Sequence, residues 1–451
     1  MKHSLQVIAV SVCSLLIPFT ANARQWTLED CINYALQNNI SLKRSKISKL
    51  SAHEDLLQSK AELLPSLNAT TSQNVTWQPF PESGRYTVTN GSVETSVDKF
   101  YYNGSYGLNF NWTVWNGNRN RKQIKLNELT EQQAELDSAV TANSIQEQIV
   151  QLYVQILYSA EAIKVNRQSL ATSKKNEERG ITMVEVGKMS RADLAQLTAQ
   201  RAQDEYNIVA AESNLRNYKR QLKQVLEITG DEEFDVVIPE TLKDDALQEI
   251  PALLQVYNKA LEQRPEIKNQ LLAIEQSNLN IDMAKAQKLP TISLNGGIAT
   301  NTTSMNKNGW GKQLKNNLNM AAGVTLSVPI FDNRQSLTAV NKARLAKENS
   351  QLELQTQRTQ LYSTIENYWI QAVTNQSKYR AALANTNSQQ ASYEMLSEQF
   401  RLGLKNIVEL MTGKTNLLTA QQNELESKYL TLLNIKMLKF YEEGKLATIR
   451  N

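Results

Sequence analysis

Charged residues that could act at fixed points come in two matching sets. Asp193 follows Ser190 by three residues, Glu409 follows Asn406 by three, and each set stands just past a glycine, Gly187 or Gly403. A capping side chain with an acid at the third helical position satisfies free amides and suits the helix dipole, worth ~0.5 to 1 kcal/mol. Each glycine can end the preceding helix in the left-handed conformation without a Cβ penalty. Val186, Gly187, Lys188, Met189 and Ser190, and then Leu402, Gly403, Leu404, Lys405 and Asn406, are therefore expected to be the tips of two helical hairpins.

Catalytic chemistry is not expected elsewhere. Gly413-Lys414-Thr415 ends as a phosphate-binding loop does, but Val408 holds the place of its first glycine and the run continues a helix. Residues 1–23 read as an export signal, with Lys2 and His3 before the apolar run Leu5 to Phe19 and then Ala21-Asn22-Ala23. Past it stand one histidine, His53, and one cysteine, Cys31, too few for a His/Cys metal set, a nucleophile pair or an internal disulfide. Cys31 follows Thr27-Leu28-Glu29-Asp30, the wrong residues for a lipoprotein signal, and reads as a buried structural thiol. No enzyme, metal or cofactor is expected. The 49 basic residues are interspersed with 45 acidic ones and form no long block, which argues against nucleic acid.

The elements that position the tips come from a duplication. Ala35-Leu36-Gln37-Asn38-Asn39 returns as Ala260-Leu261-Glu262-Gln263-Arg264, and Leu64-Pro65-Ser66-Leu67 as Leu289-Pro290-Thr291-Ile292, both displaced by 225 residues. The glycine turns return at 216, so nine residues are lost between two expected strands, where a loop varies freely. The first repeat spans 24–250 and the second 251–451. Each reads helix, strand, loop, strand, long helix, turn, helix.

Strands are expected at about 66–73 and 106–115, then at about 291–300 and 320–331. Leu108, Phe110, Trp112 and Val114 alternate with polar residues, as do Val324, Leu326, Val328 and Ile330, which is the pattern of a lipid-facing barrel wall. Trp77, Phe80, Tyr86, Phe100, Tyr101 and Tyr102 gather around the first loop as an interfacial girdle would. The helices are expected over Leu28 to Leu63, Asn120 to Glu185, Ser190 to Ile228, Arg334 to Leu402 and Asn406 to about Glu443. Ile149, Ile156, Ile163 and Leu170 repeat every seven residues, but Ser159, Asn166 and Asn375 stand where a dry seam would want leucine. The acidic stretch 229–250 reads as a connection lying partway along the helices. No later run holds the ~20 apolar residues of a membrane helix, so any membrane entry must use strands. Four strands cannot close a barrel, and an oligomer must share one.

The duplicated unit, its A-L-x-x-N entry, the Leu64-Pro65-Ser66-Leu67 and Leu289-Pro290-Thr291-Ile292 strand starts and the two glycine turns resemble the TolC-like outer-membrane efflux protein family over essentially the whole mature chain. The resemblance implies a homotrimer with a mixed fold: an all-α coiled-coil tunnel in the periplasm plus a transmembrane β-barrel, four strands per chain making a trimeric 12-stranded shared barrel in outer-membrane lipid. It further implies an exit duct docking through its hairpin tips onto a periplasmic adaptor protein and an inner-membrane transporter. In the family, acids six residues after the turn glycine ring the entrance, and Asp193 and Glu409 hold those places. Lys405 stands where a basic residue helps lock the closed entrance, Phe400 replaces a locking tyrosine, and Thr412 replaces a second acid. Small-molecule efflux and type I protein secretion both fit, and an exported coiled-coil scaffold or adhesin without a pore is the alternative of another class.

Overall fold

The computed structural model describes residues 25–80, 85–89, 91–96, 99–230, 234–238 and 245–444. The expected export signal, the tail over 445–451, the side chain of Tyr86 and parts of the connection lie outside the described residues. The first repeat runs β1 (Gln25–Trp26), α1 (Leu28–Asn38), α2 (Ile40–Ala61), β2 (Ser66–Trp77), β3 (Arg85–Thr89), β4 (Ser92–Ser96), β5 (Phe100–Trp115), α3 (Arg119–Glu185) and α4 (Arg191–Val225). After β6 (Asp235–Val236), the second runs α5 (Leu253–Gln263), α6 (Pro265–Ala286), β7 (Thr291–Thr303), α7 (Trp310–Asn316), β8 (Asn319–Ser327), α8 (Gln335–Arg401) and α9 (Ile407–Glu443).

One antiparallel sheet takes the order β2-β5-β7-β8, the middle pair joining the two repeats. Three of its strands run beyond the expected ranges, because β2 and β5 pair from Ser66 with Asn111 through to Trp77 with Phe100. Asn, Ser and Gln are weak strand formers alone, and cross-strand pairing overrides that weakness. β8 instead stops at Ser327, leaving Val328 and Ile330 past the strand. Pro329 explains this, having no N–H for the ladder. The hairpin β3-β4 and the short α7 add structure inside loops where none was expected.

The expected helix Leu28 to Leu63 is broken at Asn39, whose backbone turns extended while its Oδ1 accepts from the amides of Ser41 and Leu42 at 2.9 and 3.3 Å. Its Nδ2 donates to the Val225 carbonyl at 2.9 Å, fastening the break to the end of α4. In the second repeat the break falls at Arg264, ahead of Pro265, a residue that disfavours α geometry before it. The long helices α3 and α8 each hold 67 residues, roughly 100 Å at ~1.5 Å per residue. Both leave the sheet through a left-handed residue pair, Gly117-Asn118 or Asn333-Arg334.

Above the middle, neighbouring helices follow the order α2, α3, α6, α8; below it the order becomes α4, α3, α9, α8. The densest core lies at that change of partners, where Ile149, Tyr153, Ile156 and Leu157 of α3 meet Leu222, Leu226, Ile365 and Leu432. The described part of the connection packs there: β6 pairs with β1 in parallel, and Tyr153 Oη donates to the Val237 carbonyl at 2.8 Å. Cys31 is fully buried in this core, and burial pushes its thiol up to about 12.

Below the core, polar links join the two repeats. Asp204 on α4, 1% exposed, accepts from Lys414 of α9 and from Ser173 of α3, and Lys428 of α9 reaches Glu161 of α3 at 3.2 Å. The lysine of the loop-like fragment is thus an inter-repeat ion pair. Burial holds its ammonium below the ordinary lysine value, against the pull of Asp204. Lys414→Met strands a buried carboxylate and should cost about 3 to 5 kcal/mol, lowering the temperature at which purified protein loses its helical circular dichroism. Adding Asp204→Leu should recover most of the loss; equal loss in the single and double variants would show that the two groups are uncoupled.

Candidate functional site

The hairpin tips are built by matching backbone turns. At the end of α3, the Lys188 amide bonds the Met183 carbonyl at 2.8 Å and the Gly187 amide that of Val184 at 3.0 Å. At the end of α8, Leu404 bonds Gln399 at 2.9 Å and Gly403 bonds Phe400 at 3.0 Å. This is the Schellman pattern, which needs a left-handed residue; Gly187 and Gly403 supply φ of 73° and 74°. Nothing crowds a Cβ at either glycine, so backbone conformation alone selects the residue.

The helix starts differ from one another. Asn406 and Glu409 form a complete capping box: Asn406 Oδ1 accepts from the Glu409 amide at 2.9 Å, and Glu409 Oε2 accepts from the Asn406 amide at 3.2 Å. Glu409 Oε1 also accepts from Lys405, one turn back, and this bond holds the Glu409 carboxyl below the ordinary range, with the Asn406 amide assisting. In the first repeat Ser190 Oγ accepts from the Asp193 amide at 3.0 Å, but among the described residues nothing donates to the Asp193 carboxylate. Asp193 is the freer charge.

Of the other candidates, Phe400 is 5% exposed, packed with Leu197, Tyr393, Ile407, Leu410 and Leu417. It anchors α8 on the return helix. Thr412 is exposed and donates to the Val408 carbonyl at 2.8 Å. Met189 packs on the edge of the same core, whereas Val186, Lys188, Leu402, Leu404 and Val408 are exposed, Leu404 to 70%.

Sequence reasoning missed Tyr393, one heptad before Phe400, whose hydroxyl accepts from Asn176 of α3 at 3.3 Å and links the hairpins. It also missed an exchange of packing partners. A Cβ at Gly180 would meet Leu197 at 2.6 Å, and one at Gly413 would meet Leu396, also at 2.6 Å. Since 180 corresponds to 396 and 197 to 413, each hairpin fits a leucine into a glycine notch with the helices' roles reversed.

At the other end, the register gathers the apolar residues on one face of the sheet. Leu67 lies across from Phe110, Leu108 from Ile298, Trp112 from Leu294, Leu294 from Val324 and Ile292 from Leu326. Large members of this face, including Leu67, Leu108, Val324 and Leu326, are exposed. The bulge between Thr113 and Trp115 takes Val114 out of the regular pairing. Trp77 stacks on Phe100 with centroids 6.0 Å apart at the loop end, while Ile330 and Phe331 are exposed at the helix end. The opposite face carries Asn68, Asn109, Asn111 and Asn295. Among the described residues, β2 and β8 each pair along one side only.

The altered Glu409 carboxyl has a definite pH signature. A lowered folded value means the capping link contributes fully above the ordinary glutamate range of about 4.5 and is lost as pH falls below it. Amide hydrogen exchange over 404–410, corrected for intrinsic rates, should accelerate below that range in the native protein. Glu409→Gln should remove the pH dependence, and an unchanged profile would refute the link.

The model of the family described as "Outer membrane efflux protein" matches residues 31–226 and 256–439. The outer membrane protein TolC of Vibrio cholerae is 21% identical over 426 residues, 93% of this chain and 92% of that protein. The outer membrane channel CmeC of Campylobacter jejuni superposes with a TM-score of 0.75 at 20% identity, covering 94% of this chain and 87% of that one. The open-state MtrE outer membrane channel of Neisseria gonorrhoeae gives 0.74 at 16% identity, covering 92% and 88%. These superpositions show the fold.

Proposed function

The chain belongs to the outer membrane efflux protein family, and we propose that three copies form the exit duct of a tripartite export assembly. The observation that carries this reading is the pair of open sides on each chain. Among the described residues β2 and β8 end the sheet, each with one edge unpaired, and hydrocarbon tolerates no unpaired backbone. The helices beside those edges are open too. Ile40, Ile47, Leu50 and Leu57 make an exposed stripe on α2, and Leu345 and Leu352 stand a heptad apart on α8. A second copy fits both open sides at once, strand edge to strand edge and stripe to stripe. Two copies would give eight strands, whose interior side chains fill; twelve leave a passage.

The tips support the docking half of the proposal. Val186, Leu402, Leu404 and Val408 form exposed apolar points at the ends of polar helices, suited to grooves on a periplasmic adaptor that joins the duct to an inner-membrane transporter. Asp193 and Glu409 would set the charge of the entrance, with Lys405 offsetting part of it. A poreless scaffold leaves the exposed apolar sheet face and the free strand edges without a purpose.

Purified protein should run as a heat-dissociable trimer and form pores in planar bilayers. Asp193→Asn with Glu409→Gln should weaken cation preference, seen as a zero-current potential closer to zero in a potassium chloride gradient. Leu402→Asp with Leu404→Asp should abolish export by cells while leaving conductance intact. Absence of pores from correctly assembled trimer, or full export by the tip variant, would contradict the reading.

A further inference from the structure

We infer that the barrel section of the duct does not select cargo by charge, and that any such selection is confined to the helical section and its tips; this rests on the duct reading above. The four wall strands contain no Asp, Glu, Lys, Arg or His at any position. An uncharged lipid face is required of any barrel, since a charge at the bilayer midplane costs ~2 to 4 kcal/mol. An uncharged inner face has no such cause, because lumen positions tolerate charge. Here amides, hydroxyls, glycine and alanine occupy it.

The amides lie along the wall. Asn109 Nδ2 points to Thr70 Oγ1 at 3.4 Å on one neighbouring strand, and Asn109 Oδ1 lies 3.3 Å from where a Cβ on Gly297 of the other would stand. Asn295 Oδ1 accepts from Thr325 at 3.3 Å and lies over Gly323. The missing side chains at Gly297 and Gly323 give these amides room to lie flat. What remains above them is an open hollow of about 530 Å³, lined by Asn68, Asn109, Asn111 and Asn295 among others.

Charges flank the wall at its two ends and do not stand in it. Glu62, Lys288 and Arg119 lie at the helix end, and Lys312 and Lys315 of α7 at the loop end. A solute passing the wall between these ends therefore meets neutral hydrogen-bonding groups of both polarities. Anionic, cationic and neutral polar cargo are all accommodated.

Asn109→Cys in the assembled protein tests this, because buried Cys31 is silent to thiol reagents. The variant is treated with a cationic and an anionic thiosulfonate of similar size, and each rate is divided by that of a small free thiol. The expected ratio of the two normalised rates lies within threefold of one, with Leu108→Cys on the lipid face unmodified. Asn295→Cys repeats the measurement on another strand, so a folding defect in one variant does not decide the result. A tenfold or greater preference for either reagent at both positions overturns the inference, as does protection of both positions from both reagents in conducting protein. Failure of the unsubstituted trimer to conduct sinks the duct reading itself.

Discussion

In hydrocarbon, an unpaired backbone amide or carbonyl costs several kcal/mol, and the outer edges of β2 and β8 each carry a row of them. That unmet demand shapes the rest of the molecule. It makes the single chain incomplete, and it sets the direction in which copies must add. Because the helix order α2, α3, α6, α8 repeats the strand order β2, β5, β7, β8, closing the sheet also closes the helical wall beneath it. The tube is one structure carried across two solvents: in lipid it is held by backbone bonds, and in water by leucine stripes and interspersed ion pairs.

Duplication supplies the framework, and small departures from it supply the fittings. Asn39 and Arg264 occupy equivalent breaks yet are held differently, one by the Val225 carbonyl and the other by Glu147 and Glu266 beneath the rings of Phe440 and Tyr441. The leucine and glycine notch is reversed between hairpins, and Asp204 with Lys414 has no counterpart in the other pairing, since Ala420 and Thr198 stand at those places. Buried polar links between repeats favour one register over close alternatives without a large net gain in stability. They also explain why α3 admits Ser173 on its buried stripe, whereas Ser159 turns back to the Gln155 carbonyl of its own helix.

Much of this was legible in the residues. The repeat, both glycine turns, the caps at Ser190 and Asn406 and the alternation in two of the four strands are local patterns, and local chemistry decides them. What was not legible depends on distant partners. At Asn39 the one local sign of a break is asparagine's preference for helix starts, and the carbonyl that fastens it lies 186 residues away. Lys414 belongs to a suggestive tripeptide, and only the fold brings Asp204 to it. Phe400 resembles a failed polar lock until its place in the tip core is seen, where an aromatic ring is what the packing asks for. β8 ended early for a reason visible in Pro329, which a pattern of alternation alone overlooks.

The central claim is that edge strands of different copies pair, and disulfide trapping tests it most directly. A cysteine at Asn68 of β2 would be scanned against cysteines at Ala321, Gly323 and Thr325 of β8 in outer membranes. Oxidation should give a ladder of covalent dimer and trimer at one register position, with the trimer as the largest species. Only monomer in protein that still conducts, or a ladder continuing past three, would contradict the shared barrel.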